Sequence, residues 1–264
     1  MNVWKVPATI TLCFMLGCTL PAQENKKKLL AVGMSEGWQH DSVSAALATL
    51  YNLGKESGIW DTYIRTDVEL ITKKKLEMNG KNLDIFDAVF FMTTGELPMD
   101  EEQKAALLSF VRDDGKGFLG AHNATDTFYK WPEYGEMIGG WFDGHPWNQF
   151  EATIRVEDRQ FPATRHFPEV FNVFDEIYQT REFSRERVRV LMSLETSNVD
   201  MSKEGVKYDY IPICWARTYG KGRVFYNGLG HPPAVWDRED IRKMWLDAVK
   251  WAMGLTDGDA TPIP

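Results

Sequence analysis

The chain has 264 residues, of which 38 are Asp or Glu and 30 are Lys or Arg, so its formal net charge at pH 7 is −8. This acidic balance argues against nucleic acid or an anionic membrane as a partner. Hydrophobic residues make up 44% of the chain and include ten tryptophans, which supply the core of one large domain.

The first residues have the pattern of an export signal. Lys5 precedes an apolar run over residues 10–20, and Ala22 is a small residue at a plausible cleavage point. We therefore predict a signal peptide at 1–22, a charged leader at 23–28, no transmembrane segment and a secreted or periplasmic protein. Lipoprotein cleavage that anchors the chain at Cys18 is the alternative. Cleavage after residue 22 leaves Cys214 as the remaining cysteine, which excludes an internal disulfide.

The first half of the mature chain alternates between strand and helix patterns. Apolar runs of strand length alternate with segments whose apolar residues have helical spacing, and Asp41 can cap the first helix. This alternation predicts a doubly wound parallel sheet with a binding crevice at the carboxyl ends of its strands. The predicted strands are 29–34, 60–65, 88–93 and 117–119, and the predicted helices are 42–57 and 98–114.

The second half is less regular. Strands are predicted at 151–156 and 187–194 as an antiparallel extension, with a Pro- and Phe-rich loop between them. A last strand pair is predicted at 211–217 and 223–226, followed by a closing helix at 237–253. Because no internal repeat or low-complexity linker is present, we predict a single α/β domain at 29–256 and a C-terminal tail at 257–264.

The sharpest local feature is the turn after the strand at 117–119. Gly120-Ala121-His122-Asn123-Ala124 has the small-x-polar-x-small pattern of a nucleophile elbow, in which small neighbours let one side chain project from a tight turn. The projecting residue is a histidine, which is neither a Ser nor a Cys nucleophile. The alternative interpretation is a structural histidine held by hydrogen bonds in a glycine-rich loop.

Four of the five histidines follow predicted strands or the aromatic loop, namely His40, His122, His145 and His231, whereas His166 fits a surface loop. We expect the four to meet in one crevice. Such a cluster favours acid/base catalysis or a divalent metal such as zinc, and a purely structural cluster is the remaining alternative. No HExxH, CxxC or HxH motif is present, so no cofactor is required by the sequence. The catalytic candidates are His122, His231, His40 and Asp126, and the metal-ligand candidates are His40, His122 and His231.

A segment rich in aromatic residues follows the elbow. Its rings lie among glycines, prolines and charges rather than on a periodic face, which favours a binding wall over plain core. Flat rings beside carboxylate, imidazole and amide groups are typical of a saccharide pocket. Glu96 and Asp126 have simpler interpretations as residues that begin a helix or cap a turn. The substrate-binding candidates are Glu96, Asn123, Tyr129, Trp131, Tyr134, His145 and Trp236.

Residues 120–146, with 37–41 and 222–231, resemble the trehalose-utilisation (ThuA-like) family. This resemblance covers about 28–253 and implies a flavodoxin-like α/β fold, a three-layer sandwich with a mostly parallel sheet, as in class I glutamine amidotransferases. In those relatives a cysteine occupies the elbow and a histidine follows a late strand. Here His122 occupies the elbow and His231 the late position, so the resemblance argues against a glutaminase.

The resemblance further implies an exported protein of carbohydrate metabolism that acts on a disaccharide or keto-glycoside. We expect a hydrolase, lyase or isomerase that uses acid/base or metal-assisted chemistry, in which His122 or His231 is the base and His40 or a cation polarises the carbonyl. A non-catalytic carbohydrate-binding protein is the alternative. The expected partner is a small-molecule saccharide, and the sequence leaves the oligomeric state open.

Overall fold

The computed structural model describes residues 1, 26–75, 77 and 80–263. The predicted signal peptide and Cys18 lie, apart from Met1, outside the described residues, as do residues 23–25 of the predicted leader. Among the helices that are described, none has the length and apolar character needed to cross a membrane.

Strands and helices alternate along the described chain. The strands are β1 (Lys27–Ser35), β2 (Trp60–Arg65), β3 (Ala88–Thr94), β4 (Gly117–Ala121), β5 (Trp141–Phe142), β6 (Gln149–Val156), β7 (Val170–Glu176), β8 (Thr180–Arg181), β9 (Arg189–Leu194), β10 (Pro212–Tyr219) and β11 (Gly222–Asn227). The α-helices are α1 (Val43–Ser57), α2 (Glu101–Arg112), α3 (Pro132–Ile138) and α4 (Glu239–Ala252). Short 3-10 helices lie at Leu83–Ile85, His122–Asp126, Thr196–Asn198 and Pro233–Asp237.

A nine-stranded sheet in the described part of the chain has the order β2-β1-β3-β4-β11-β10-β9-β6-β7. The pairs from β2 to β11 are parallel, and the pairs from β11 to β7 are antiparallel. It follows that β10 and β6 run against the direction of the other seven strands. The predicted α/β fold with a mostly parallel sheet and an antiparallel extension is therefore confirmed.

Helices cover both faces of the parallel half of this sheet. Leu29 and Ala31 of β1 belong to one buried cluster together with α1 and α4. Leu30 and Val32 point to the opposite face and belong to a second cluster together with α2 and α3. Because successive side chains of a strand alternate between faces, a fully apolar β1 is buried on both sides. This arrangement is the predicted three-layer sandwich.

The helix boundaries follow local capping chemistry. The carboxylate of Asp100 accepts a hydrogen bond from Gln103 N at 2.8 Å, and Gln103 Oε1 accepts one from Asp100 N at 3.0 Å, so a capping box begins α2. The prediction that Asp41 caps α1 is wrong, because Ser42 is the N-cap and its side chain makes no capping hydrogen bond. Gly58 ends α1 with a φ of 70°, a conformation that glycine adopts without steric cost.

Two segments contradict the sequence prediction. The Pro- and Phe-rich stretch predicted as loop contains β7, which pairs with β6 from Gln149–Glu176 to Arg155–Val170. The aromatic segment predicted as an irregular binding wall contains α3, with Pro132 in its first turn and Gly139 at its end. In the segment predicted as a tail, Ala260 is buried and Asp259 lies 3.6 Å from Arg189.

Candidate functional site

Four chemically active side chains lie at one edge of the sheet. His40 follows β1, His122 follows β4 and His231 follows β11, while Glu176 is the last residue of β7. These four strands run in the same direction, so their carboxyl ends meet at the same edge. Residues far apart in sequence are therefore brought together by the fold.

Three imidazole rings form a nearly equilateral triangle. The ring centroids of His40 and His122 are 5.1 Å apart, and each lies 5.2 Å from the centroid of His231. His145 joins the cluster through Glu176, whose Oε1 is 3.3 Å from His145 Nδ1. The predicted convergence of these histidines is confirmed. His166 lies elsewhere, with its Nε2 2.9 Å from the carbonyl of Asp240.

The turn at His122 has the backbone of an elbow. His122 has a φ of 37°, in a region that non-glycine residues rarely occupy. A Cβ at Gly120 would lie 3.1 Å from that of Ala124 and 3.0 Å from Ile138 Cδ1, tighter than ordinary contacts, so small residues suit this turn. The hydroxyl of Tyr226 donates to the His122 carbonyl at 2.7 Å and holds the strained residue from below.

The hydrogen bonds of His122 determine its protonation. Its Nδ1 lies 2.8 Å from the carbonyl of Gly228, and because a carbonyl only accepts, Nδ1 carries the proton. The lone pair of Nε2 therefore faces the cluster. A histidine whose other nitrogen donates to a backbone carbonyl is the usual arrangement of a metal ligand.

Three donor atoms lie at distances that suit a metal ion. His122 Nε2 is 3.2 Å from His231 Nδ1 and 3.8 Å from Glu176 Oε2, and the last two atoms are 3.0 Å apart. The ligand atoms of a tetrahedral zinc ion, at about 2.0–2.1 Å from the metal, are about 3.3 Å from one another. With a nitrogen of His40, the four donor atoms lie within 4.8 Å of one another. The residues present therefore fit a divalent cation of the zinc type, and Glu176 extends the predicted ligand set.

His40 is fixed by two other side chains. Its Nδ1 lies 3.1 Å from Asn123 Nδ2, and its Nε2 lies 3.1 Å from the hydroxyl of Tyr178. The ring of Tyr178 also packs against His122 at a centroid distance of 4.2 Å. Both nitrogens of His40 therefore have hydrogen-bond partners outside the group of candidate ligands, whereas Nε2 of His122 faces His231.

Burial and neighbouring charges separate the pKa values of the three rings. Desolvation, together with the proximity of His231, lowers the pKa of His40 to about 4, and desolvation and His40 hold that of His122 well below its usual value. Burial also disfavours protonation of His231, but the hydrogen bond and charge of Glu176 outweigh it and raise the pKa of His231 overall. The cluster thus keeps two neutral imidazoles, the form that binds metals.

Asp175 connects two members of the cluster through their backbones. Its Oδ1 accepts from Glu176 N at 2.8 Å and from His231 N at 3.0 Å, and its Oδ2 accepts from Gly230 N at 2.7 Å. Burial raises the pKa of Asp175 to about 7, against the effect of these three amides. One carboxylate therefore sets the position of Glu176 relative to His231.

We expect Asp175→Asn to lower the free energy of unfolding by about 2 kcal/mol, because the new amide nitrogen faces the Gly230 N–H and leaves that buried donor unpaired. Urea unfolding measures this loss. Asp158→Asn is the matched control, since Asp158 is also buried and accepts from Gln160 N and Phe161 N away from the histidines. It should cost stability without disturbing the cluster. An unchanged unfolding free energy for Asp175→Asn would contradict this role.

A cavity of ≈ 460 Å³ opens above the cluster. Its volume is within the range of small-molecule sites. His122 is 0% exposed and lies beneath the floor, out of contact with the cavity. The lining residues are Trp38, His40, Asp126, Phe142, His145, Asn148, Gln149, Glu176, Tyr178 and His231.

The other predicted site residues lie in three environments. Asp126 lines the cavity, and its Oδ1 accepts the hydroxyl proton of Tyr129 at 2.5 Å. Glu96 is exposed and accepts from Lys130 N at 3.1 Å, outside the cavity lining. Trp131, Tyr134 and Trp236 are buried in the two cores, where Trp236 stacks on Trp245.

Sequence reasoning missed Glu176 as a site residue, together with Tyr178, Asp175 and Trp38. The sequence of β7 carries little signal for Glu176, because its apolar residues Val170, Phe171, Val173 and Phe174 do not alternate with polar ones. The structure places Cys214 inside β10, where burial raises the pKa of its thiol, so it is a poor nucleophile.

Comparison with known families gives one match by sequence. The profile of the ThuA family, described as trehalose utilisation, matches residues 28–252. No curated protein matches the chain.

Solved structures are similar in fold. A ThuA-like protein from Bacteroides uniformis is 21% identical with a TM-score of 0.70, covering 88% of this chain and 95% of that one. A ThuA-like protein from Parabacteroides merdae is 20% identical with a TM-score of 0.67, covering 87% and 90%. PurLQS from Thermotoga maritima is 17% identical with a TM-score of 0.50, covering 86% and 99%. At these identities the likeness concerns the fold alone.

Proposed function

The chain belongs to the ThuA family of trehalose utilisation, and from this premise we propose that it is an enzyme that binds a divalent cation of the zinc type and cleaves a keto-glycoside. The observation that carries the proposal is the convergence of His122 Nε2, His231 Nδ1 and Glu176 Oε2 within 3.0–3.8 Å of one another below a cavity. Three protein ligands beside a cavity are the arrangement of catalytic rather than structural zinc.

The chemistry of the cavity wall supports a sugar as substrate. Phe142 and Tyr178 pack at a centroid distance of 4.3 Å and offer flat apolar faces, and Asn148 and Gln149 offer amides to hydroxyl groups. Sugar rings present C–H faces and hydroxyls together, so they match such a wall.

The proposed reaction is an elimination. In a 3-keto-glycoside the carbonyl acidifies the C2–H bond, and the glycosidic oxygen on C1 is the leaving group. Loss of the C2 proton to a base forms the C1–C2 double bond and breaks the C1–O bond, and an acid gives a proton to the departing oxygen. A bound divalent cation would supply charge stabilisation at the carbonyl oxygen.

The positions of the side chains suggest which residue holds the cation, which removes the C2 proton and which protonates the leaving oxygen. Burial of His122 supports a role as ligand rather than as base, because the side chain does not reach the cavity. His145 lines the cavity and turns Nδ1 towards Glu176, which leaves Nε2 to remove the C2 proton. Asp126 lines the same cavity, and burial raises the pKa of its carboxyl although the hydroxyl of Tyr129 opposes this, so Asp126 is suited to donate a proton.

Metal analysis and sugar NMR test the proposal together. We expect the purified protein to contain about one zinc-type cation per chain and to convert 3-ketotrehalose with release of glucose. Removing the cation with a chelator should abolish turnover, and adding zinc back should restore it. A protein that binds sugar but neither holds a cation nor changes the sugar would overturn the proposal in favour of a carbohydrate-binding protein.

We also propose that the chain is exported, on the basis of the apolar run at 10–20 and Ala22. Expression in a bacterial host followed by N-terminal sequencing tests this. A mature chain that begins at Gln23 supports cleavage, a lipid-modified Cys18 supports anchoring, and an intact Met1 in the cytoplasm contradicts both.

A further inference from the structure

We infer that Trp38 forms an outer subsite that stacks on a second sugar ring, so that the preferred substrate is a two-ring glycoside rather than a single sugar. This inference rests on the proposed function and adds to it the size of the substrate. It starts from an exposed indole at the mouth of the histidine cavity.

Exposure orders the site from floor to mouth. His122 is inaccessible, His40 and Glu176 are buried, the side chain of His145 is 39% exposed, and Trp38 is 73% exposed. Because Trp38 also lines the cavity, its indole lies at the opening while the proposed reacting groups lie deeper. A sugar ring that reaches the cluster therefore leaves its attached group beside Trp38.

The backbone that carries this indole is held in place. Thr94 Oγ1 donates to the carbonyl of Trp38 at 2.8 Å, and Glu36 N donates to the carbonyl of Thr94 at 2.8 Å. A Cβ at Gly95 would lie 2.7 Å from Glu36 C, so this segment packs closely on the turn after β3. The indole thus extends from a fixed base, and its remaining freedom is that of the side-chain torsions.

The chemistry around Trp38 suits a sugar better than a purely apolar ligand. An indole offers a large flat face for the C–H groups of a pyranose, at a small cost in side-chain entropy. Asn148 and Gln149 line the same cavity with exposed amides, and Asn148 has a φ of 53°. Asparagine adopts this left-handed conformation more readily than most residues, and amides beside an indole match the hydroxyls and C–H faces of a sugar.

Calorimetric titration with trehalose and with glucose tests the subsite, since neither sugar has a keto group and neither is consumed. We expect the wild type to bind trehalose more tightly than glucose, and Trp38→Ala to weaken trehalose about tenfold while leaving glucose unchanged. Trp38→Phe should recover part of the affinity. Tyr51→Ala is the matched control, because Tyr51 is a 47% exposed aromatic on α1 outside the cavity lining.

Three results would overturn the subsite. One is equal affinity of the wild type for both sugars, and another is a wild type that does not bind trehalose at all. The third result is a Trp38→Ala variant that binds trehalose as the wild type does. Turnover of 3-ketotrehalose is measured independently, so a subsite that fails while turnover persists leaves the proposed function intact. If the wild type neither holds a cation nor turns over 3-ketotrehalose, both the proposed function and the subsite that rests on it are wrong.

Discussion

Glu176→Gln is expected to lower both cation affinity and turnover of 3-ketotrehalose by more than about 100-fold, since substitutions in the outer shell alone cost 10–100-fold. Glutamine has the shape of glutamate but lacks the charge that faces His122 Nε2, His231 Nδ1 and His145 Nδ1. His122 and His231 then remain of the proposed ligands, since both nitrogens of His40 have other hydrogen-bond partners. Zinc titration against a competing chelator and NMR of the sugar measure the two effects.

A matched substitution separates this effect from a general loss of a buried carboxylate. Glu157 is partly buried and pairs with Arg185 at 2.9 Å and with the Tyr210 hydroxyl at 2.5 Å, outside the lining of the histidine cavity. Glu157→Gln should lower stability and leave zinc affinity unchanged. If Glu176→Gln retained its zinc at wild-type affinity, Glu176 would not be a ligand, and the proposed set of His122, His231 and Glu176 would be wrong.

The fold was accessible from sequence because its strongest signals are local. The run of apolar residues at 29–34 predicts a strand buried on both faces. As this prediction requires, β1 pairs with both β2 and β3. The positions of His40, His122 and His231 then follow from a topological rule, since residues after parallel strands meet at one edge.

Glu176 is absent from the predicted site because the sequence does not predict β7. The segment between β6 and β9 contains Pro162 and Pro168, which favour a loop, and β7 becomes a strand through its pairing with β6. Without that strand, nothing places Glu176 at the edge of the sheet where the histidines lie. Long-range pairing decided the outcome, and single-sequence patterns do not record it.

The aromatic segment shows the opposite error. Trp131, Tyr134 and Ile138 have the spacing of one helix face, and they pack in the core, with Trp131 as the N-cap of α3. Pro132 and Gly139 were interpreted as loop residues, although Pro in the first turn and Gly after the last are start and stop signals of a helix. A seven-residue helix offers too few turns for its period to stand out.

Asp126→Asn is expected to reduce turnover strongly when the leaving group needs a proton and weakly when it does not. With 3-ketotrehalose the departing sugar alkoxide needs a proton, so loss of the acid should slow the reaction about 10²–10⁴-fold. With a 3-keto p-nitrophenyl glucoside the departing phenolate is stable without a proton, so the same variant should react nearly as fast as the wild type. Zinc content should be unchanged, because Asp126 lies outside the cluster of donor atoms.

The pH dependence of turnover shows whether Asp126 acts as an acid. An acid must be protonated to act, so the wild-type rate on 3-ketotrehalose should fall as pH rises through the raised pKa of Asp126, and Asp126→Asn should lack this limb. The Tyr129 hydroxyl lowers the pKa of Asp126, so Tyr129→Phe should move the limb to higher pH. A limb that moves to lower pH in Tyr129→Phe, or that persists in Asp126→Asn, would assign the proton to another group.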